Sequence, residues 1–358
     1  MPIVIKPLLP EQGEEALLFL QPYESECVNL ASDILRGSTD CWALYYADQE
    51  VSQTKTLAGL FALRKKRSLF FCLPFAKYKS AFDKKVCSEA QRPLMEFFES
   101  NEPFCVNGEA AGAIFLRNIL KNKKNPMRPS VTNKYFLMVS DAMSFPRSDA
   151  GIFQDKKIAG SSPAMTNYGF RVAQATAADC DHLLPLELGY QREEVVPKSF
   201  DISDAALAAA FKHELEQGLT FALYDGGRPI AKARVSACGL RHCMLGGVYT
   251  IPSERKKGRA SFLVRQIIAL FESGLEGQRQ NAGGQNCSQG LDAGGGSIDS
   301  GKTGSFGIPS DSGKPGDSRP SLAFNGFCLY AKQENAAALA LYKSLGFVPR
   351  GEYLLVYY

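Results

Sequence analysis

The sequence predicts a mixed α/β (α+β) fold in two halves, on three observations. Residues 243–271, CMLGGVYTIPSERKKGRASFLVRQIIALF, read as a strand, a Pro-containing turn, a cationic Gly loop and a helix. The helix rests on Ala260, Leu263, Val264, Ile267, Ile268 and Phe271, which follow the i, i+3, i+4, i+7 spacing of one apolar face. Residues 42–73 hold three short apolar runs, WALYYA, TLAGLFAL and SLFFCLP, parted by polar turn material in the manner of an antiparallel meander. Residues 329–347 repeat the strand-then-helix pattern near the end of the chain.

Taken in order, residues 11–35 carry apolar side chains at helical intervals (Ala16, Leu17, Leu20), break at Pro22 and resume at Val28. The meander follows, then a helix near 88–98. Residues 103–109 pass through Asn107-Gly108-Glu109, read as a turn, into a helix ending near 120 and a strand near 135–140. The Pro/Ser/Gly-containing residues 144–167 read as a linker, so that 1–143 and 168–358 are expected as two domains. The second opens with a strand at 168–172 and an N-capping pattern, Thr176 to Asp179. Its first helix is expected to bend or stop at Pro185 and continue as a short piece at 188–196. A further helix starts at Ser203-Asp204, turns Leu207, Phe211 and Leu215 to one face and stops at Gly218. Strands at 219–224 and 229–237 are joined by Asp225-Gly226-Gly227-Arg228, a hairpin signal. Residues 274–321, dominated by Gly, Ser, Asp, Asn and Pro, hold too few apolar groups to offset the entropy of ordering and are expected as a disordered insertion. The element order of the two halves is similar, which points to a tandem arrangement.

Composition narrows the function classes. A chain of 358 residues with 45% hydrophobic and 22% charged residues can build two globular cores. The net charge of +4 is small, and the basic clusters at 64–67 and 121–124 lack interleaved aromatics, so no nucleic-acid partner is expected. Neither a secretory signal pattern nor an apolar run near the ~20 residues of a membrane span is present, and a cytoplasmic protein without a membrane partner is expected. Ten scattered cysteines without C-x-x-C, and three histidines, give no zinc-ligand spacing; reduced core thiols and no metal are expected.

Chemistry concentrates in Arg255-Lys256-Lys257-Gly258-Arg259-Ala260. Gly258 opens backbone angles closed to other residues, and Ala260 permits close approach to the main chain. Loop N–H groups followed by the first N–H groups of a helix, in a cationic setting, form an anion site suited to a pyrophosphate.

Arg255-x-x-Gly258-x-Ala260, entered through Pro252-x-x-Arg255, resembles the acyl-CoA signature of the GNAT superfamily of N-acyltransferases. A second block, LYAKQENAAALALYKSLGF at 329–347, with Asn335 at the helix start, a Leu341-Tyr342 pair and a closing Gly346-Phe347, is similar to the superfamily's other recurring block. The resemblance covers roughly 169–358 and implies a GNAT fold there, with a degenerate GNAT-like copy before it that lacks the glycine loop. It implies acetyl-CoA as co-substrate, its pyrophosphate on the main chain of Lys256, Lys257, Gly258, Arg259 and Ala260, with Arg255, Lys257 and Arg259 adding charge at the rim. It places Val248 and Thr250 on the pantetheine, with the Val248 N–H near the thioester oxygen, and gives Tyr342 the role of acid to the leaving thiolate. Asn335 falls where the family binds the cofactor; the same spacing fits a plain N-cap. Tyr342 also fits a core position beside Leu341 and Leu345.

The general base is open. Many family members carry Glu on the strand where this chain has Met244, and His242 lies further along the same strand. Glu193 and Glu194 are candidates near the substrate end of the cleft, and equally fit a solvated acidic turn; the terminal carboxylate at Tyr358 is another candidate. The expected function is N-acetyl transfer from acetyl-CoA to a primary amine, with the amine acceptor unread. The alternative is a non-catalytic acyl-CoA-binding or sensing protein.

Overall fold

The computed structural model describes residues 2–47, 56–65, 67–141, 164–165, 170–196, 202–217, 219–282 and 325–358. The linker expected at 144–167 falls, apart from Ala164 and Met165, outside these residues, as do Gly218 and most of the insertion expected at 274–321. The architecture is mixed α/β.

The chain begins with strand β1 (Ile3–Pro7) and helices α1 (Gly13–Leu20) and α2 (Glu24–Leu35), separated by a turn that contains Pro22. The expected meander follows as β2 (Cys41–Tyr46), β3 (Leu57–Arg64) and β4 (Ser68–Cys72), paired antiparallel in that order. Next come α3 (Pro74–Lys77), α4 (Ala81–Ser100), β5 (Cys105–Glu109), α5 (Ala110–Asn122) and β6 (Val131–Asp141). The remaining elements are β7 (Ala164–Met165), β8 (Phe170–Gln174), α6 (Cys180–Tyr190), α7 (Asp204–Glu216), β9 (Thr220–Asp225), β10 (Arg228–Cys238) and β11 (His242–Thr250). The chain closes with α8 (Arg259–Ala282), β12 (Gly326–Lys332), α9 (Ala336–Ser344) and β13 (Val348–Tyr357).

Several boundaries differ from the sequence reading for identifiable reasons. Helix α4 starts seven residues earlier than expected and runs through Pro93, because Ser80 and Asp83 form a capping box at its N-terminus. Asn107-Gly108-Glu109 is strand rather than turn, and the Glu109 carboxylate caps α5 by accepting the N–H groups of Ala111 and Gly112. Pro185 neither ends nor splits α6, which continues to Tyr190 before one wide helical turn at Gln191–Val195. Helix α8 extends to Ala282, past the residue at which the insertion was expected to begin.

The compact units are not consecutive halves of the chain. The first comprises Met1–Phe145, Val235–Gly246 and Leu322–Tyr358; the second comprises Pro146–Arg234 and Gly247–Ser321, so β10 and β11 contribute to both. In the first unit the strands run β1-β2-β3-β4-β5-β13-β6-β12, with β12 joined to the start of β11. β13, the last strand of the chain, lies antiparallel between β5 and β6, and β6 lies between β13 and β12. Alternation along β3 sends Phe61 and Leu63 to a core shared with Leu94 and Phe98 of α4 and Leu116 and Leu120 of α5. It sends Leu60 and Ala62 to another core, with Leu20 of α1 and Leu30 of α2.

In the second unit, β7, β8, β9 and β10 pair antiparallel in sequence order. Gly226 and Gly227 both have positive φ, +53° and +91°, as the tight hairpin between β9 and β10 requires. The expected caps are present: Thr176 and Asp179 exchange hydrogen bonds, and the Ser203 hydroxyl accepts the Ala206 N–H. Phe211 and Leu215 of α7 are buried with Leu183, Ala222 and Tyr224.

Candidate functional site

The site is built where β11 hands over to α8. β11 begins as a parallel partner of β12, from His242↔Gly326 to Met244↔Cys328. Three residues past Met244 the chain kinks at Gly247, whose φ of +59° belongs to the left-handed region. A Cβ at Gly247 would lie 3.3 Å from the Lys232 Nζ and 3.4 Å from the Arg234 Cγ, so space as well as torsion favours glycine here. Val248 follows, half-buried, and then Tyr249 and Thr250, both buried. The Thr250 hydroxyl oxygen is enclosed without a hydrogen-bond partner among the described residues.

After Thr250 the chain turns through Pro252–Glu254 into the predicted loop. Lys256 (φ +61°) and Gly258 (φ +75°) are both left-handed, which folds the loop tightly before α8. The first intrahelical bond runs from the Phe262 N–H to the Gly258 carbonyl, so the N–H groups of Arg259, Ala260 and Ser261 before it have no partner within the helix. An added Cβ at Gly258 would meet nothing within 4 Å. Open space over a left-handed glycine, beside a helix N-terminus, fits a pyrophosphate approaching the main chain.

Three of the loop's cations, Arg255, Lys257 and Arg259, are held by acids of their own unit. The Arg255 Nε donates to the Thr250 carbonyl at 2.9 Å, and its Nη2 reaches both oxygens of Glu193 at 2.8 and 3.0 Å. Glu193 also accepts the Tyr249 hydroxyl at 3.0 Å. Lys257 and Arg259 converge on Glu254, at 3.1 and 3.4 Å, and the Arg259 guanidinium stacks over Phe170 at 4.0 Å. The hydrogen bond from Lys257, seconded by that from Arg259, holds the Glu254 carboxyl below its ordinary range despite its partial desolvation. These pairs order the loop.

Of the sequence-predicted residues, the structure brings Glu193, Arg255 and Thr250 together and leaves Val248, Gly258 and Ala260 along one continuous stretch. Glu194 follows Glu193 in the wide helical turn and lies close enough to the Tyr190 phenol to act on it electrostatically. Asn335 and Tyr342 belong to the first unit. Asn335 caps α9, its Oδ1 accepting the Ala338 N–H at 3.0 Å. Tyr342 is buried, with its ring 5.9 Å from Phe347. Met244 is buried, and its sulfur receives the Asn29 amide at 3.3 Å. His242 is held 3.3 Å from Glu24. Tyr358 donates its N–H to the Phe104 carbonyl and packs on the core of α4 and α5.

Sequence reasoning missed a buried ion pair in the second unit, Lys232 of β10 with Glu187 of α6 at 2.6 Å. Its signal was available: a carboxylate among the leucines of LLPLELGY and a lysine within the apolar run PIAKARV.

Residues 186–279 match the family model for the acetyltransferase (GNAT) family. Among solved structures, a Drosophila protein matches over 99% of this chain and 98% of its own, at 12% identity and a TM-score of 0.52. A tandem GNAT protein from the clavulanic acid biosynthesis pathway matches over 99% and 97%, at 10% identity and a TM-score of 0.51. These two likenesses concern the fold. A structure assigned to the GNAT family from Novosphingobium aromaticivorans, of which the chain spans 65%, is matched over 64% of this chain at 16% identity and a TM-score of 0.34. A sequence search of the curated proteins finds no match.

Proposed function

Taking as premise that residues 186–279 are a GNAT acetyltransferase domain and that the chain has the fold of tandem GNAT proteins, we propose that it moves an acetyl group from acetyl-CoA to a primary amine in a ternary complex. One observation carries the reading: the β11–α8 connection, with left-handed Lys256 and Gly258, open space over Gly258 and a helix start whose first N–H groups have no partner within the helix. Lys256 to Ala260 take the pyrophosphate on their main-chain N–H groups, and Arg255 is set at the rim by Glu193. Thr250, whose buried hydroxyl has no hydrogen-bond partner among the described residues, faces the pantetheine arm.

In this scheme the Val248 N–H donates to the thioester oxygen as negative charge builds on it. The amine nitrogen bonds to the acetyl carbon, the carbon–sulfur bond breaks, and the amine's proton passes to a carboxylate. Glu193 and Glu194 are the candidate carboxylates, and Glu193 also positions the loop through Arg255 and Tyr249. Tyr342 gives its proton to the leaving thiolate, and Asn335, the cap of the same helix, serves the cofactor. Holding amine and thioester together supplies much of the acceleration. We place the protein in the cytoplasm.

The test is thiol release from acetyl-CoA across a panel of primary amines, for the wild type and Tyr342→Phe. Turnover with at least one amine, reduced by about 10²–10⁴ in the variant with acetyl-CoA binding retained, is the expected result. Binding without turnover on any amine returns the protein to a sensing role.

A further inference from the structure

The buried Lys232–Glu187 pair sits against the kink in β11, and its geometry gives it a task. Lys232 is 1% exposed. Its Nζ lies 2.6 Å from the Glu187 Oε2 and donates to the Gly247 carbonyl at 3.2 Å. The ring of Tyr190 is 4.6 Å away and that of Phe211 5.8 Å. Glu187 is itself oriented, because the Gln191 amide donates to its Oε1 at 2.6 Å. The Tyr190 phenol meets the backbone of Gly247 as well, so the kinked residue is gripped by two side chains.

The Gly247 carbonyl and the Val248 N–H are the two ends of one planar peptide group. A charge-assisted hydrogen bond to the oxygen draws density from the nitrogen, making the N–H a stronger donor; bonds in series polarise one another, and a low-dielectric setting strengthens the effect. We infer that Lys232 is a positioning residue for acyl transfer: by donating to the Gly247 carbonyl it fixes and polarises the peptide whose other end, the Val248 N–H, stabilises the oxyanion. Glu187 favours the charged form of the buried lysine. Desolvation pulls the lysine's pKa down from its ordinary value, and the adjacent carboxylate opposes that pull. This inference rests on the acetyl-transfer reading and adds residues to it that the loop motif does not contain.

Gly247–Val248 is the sole Gly-Val step in the sequence, so labelling glycine carbonyls with carbon-13 and valine nitrogens with nitrogen-15 isolates one amide signal. That signal, acetyl-CoA affinity and kcat are to be compared in wild type, Lys232→Met and the double variant Lys232→Met/Glu187→Met. The double variant keeps the test open if the single one does not fold, because an apolar pair of similar volume replaces a buried ion pair at little cost. The expected result is an upfield shift of the Gly247 carbonyl and the Val248 amide, unchanged acetyl-CoA affinity, and kcat lower by about tenfold, since a donor is weakened rather than removed. A folded variant with unchanged kcat overturns the inference. So does a parallel loss of thermal stability, affinity and kcat, which marks a purely structural pair. If wild type neither binds nor turns over acetyl-CoA, the acetyl-transfer reading fails first, and that outcome is visible before any variant is made.

Discussion

Two strand-to-helix connections occupy matching places in the element order, β4 to α4 in the first half and β11 to α8 in the second, and they end in opposite ways. The first runs through Leu73-Pro74-Phe75-Ala76-Lys77-Tyr78-Lys79-Ser80, without a glycine. Its helix N-terminus is already occupied: the Ser80 hydroxyl accepts the Asp83 N–H, and the Asp83 carboxylate accepts the Ser80 N–H. The second reaches α8 through two left-handed residues, and among the described residues no side-chain cap is seen at its first donors. The next helices repeat the contrast, since α5 is capped by the charged Glu109 and α9 by the neutral Asn335. A helix start that carries its own carboxylate has no remaining use for an anion. On the proposed reading, one topology yields a scaffold or an anion site depending on a few capping residues.

The largest effect that would break this comparison concerns the shared sheet. Although β13 comes last in the sequence, it fills the gap between β5 and β6, burying Tyr353, Leu354 and Val356. Deleting residues 348–358 bares two strand edges. Circular dichroism should then show loss of cooperative unfolding; a chain that keeps it would mean that the first half is self-sufficient.

A medium effect sharpens the loop's side of the comparison. Glu254 has its folded pKa depressed by Lys257 and Arg259. Its contribution is therefore complete above the unfolded value of 4.5 and fades as pH falls through the lower folded value. Glu254→Gln should lower the melting temperature at neutral pH, and the gap from wild type should close below pH 4.5. A gap independent of pH would show that those pairs do not order the loop. The smallest effect belongs to the first half. Ser80→Ala removes a cap at a cost of about 0.5–2 kcal/mol, measurable by urea denaturation, and should leave acetyl-CoA binding untouched.

Much of the site was legible because its signals are local. The glycine of Arg255-x-x-Gly258-x-Ala260, the apolar stripe of α8, the Asp225-Gly226-Gly227-Arg228 hairpin and the caps at Thr176 and Ser203 all act over a few residues, and each is present in the fold. What escaped notice is non-local. Periodicity reports which face of a strand is apolar, not which strand it pairs with, so the placement of β13 between β5 and β6 could not be read. The tie of Glu193 to Arg255 and the burial of Lys232 against Glu187 likewise join residues 62 and 45 positions apart. Glu109 was hidden by a Gly that resembles a turn but sits in a strand.

The most direct test of the account is the stoichiometry of acetyl-CoA binding by isothermal titration, for wild type and Gly258→Glu. The substituted side chain strains the backbone locally at a φ of +75° but meets nothing within 4 Å, so the effect is confined to the loop, which its bulk and negative charge close. One molecule bound per wild-type chain, and none by the variant, is the predicted result. Two per chain, or binding that survives Gly258→Glu, would contradict the assignment of the acyl-CoA site to the β11–α8 connection alone.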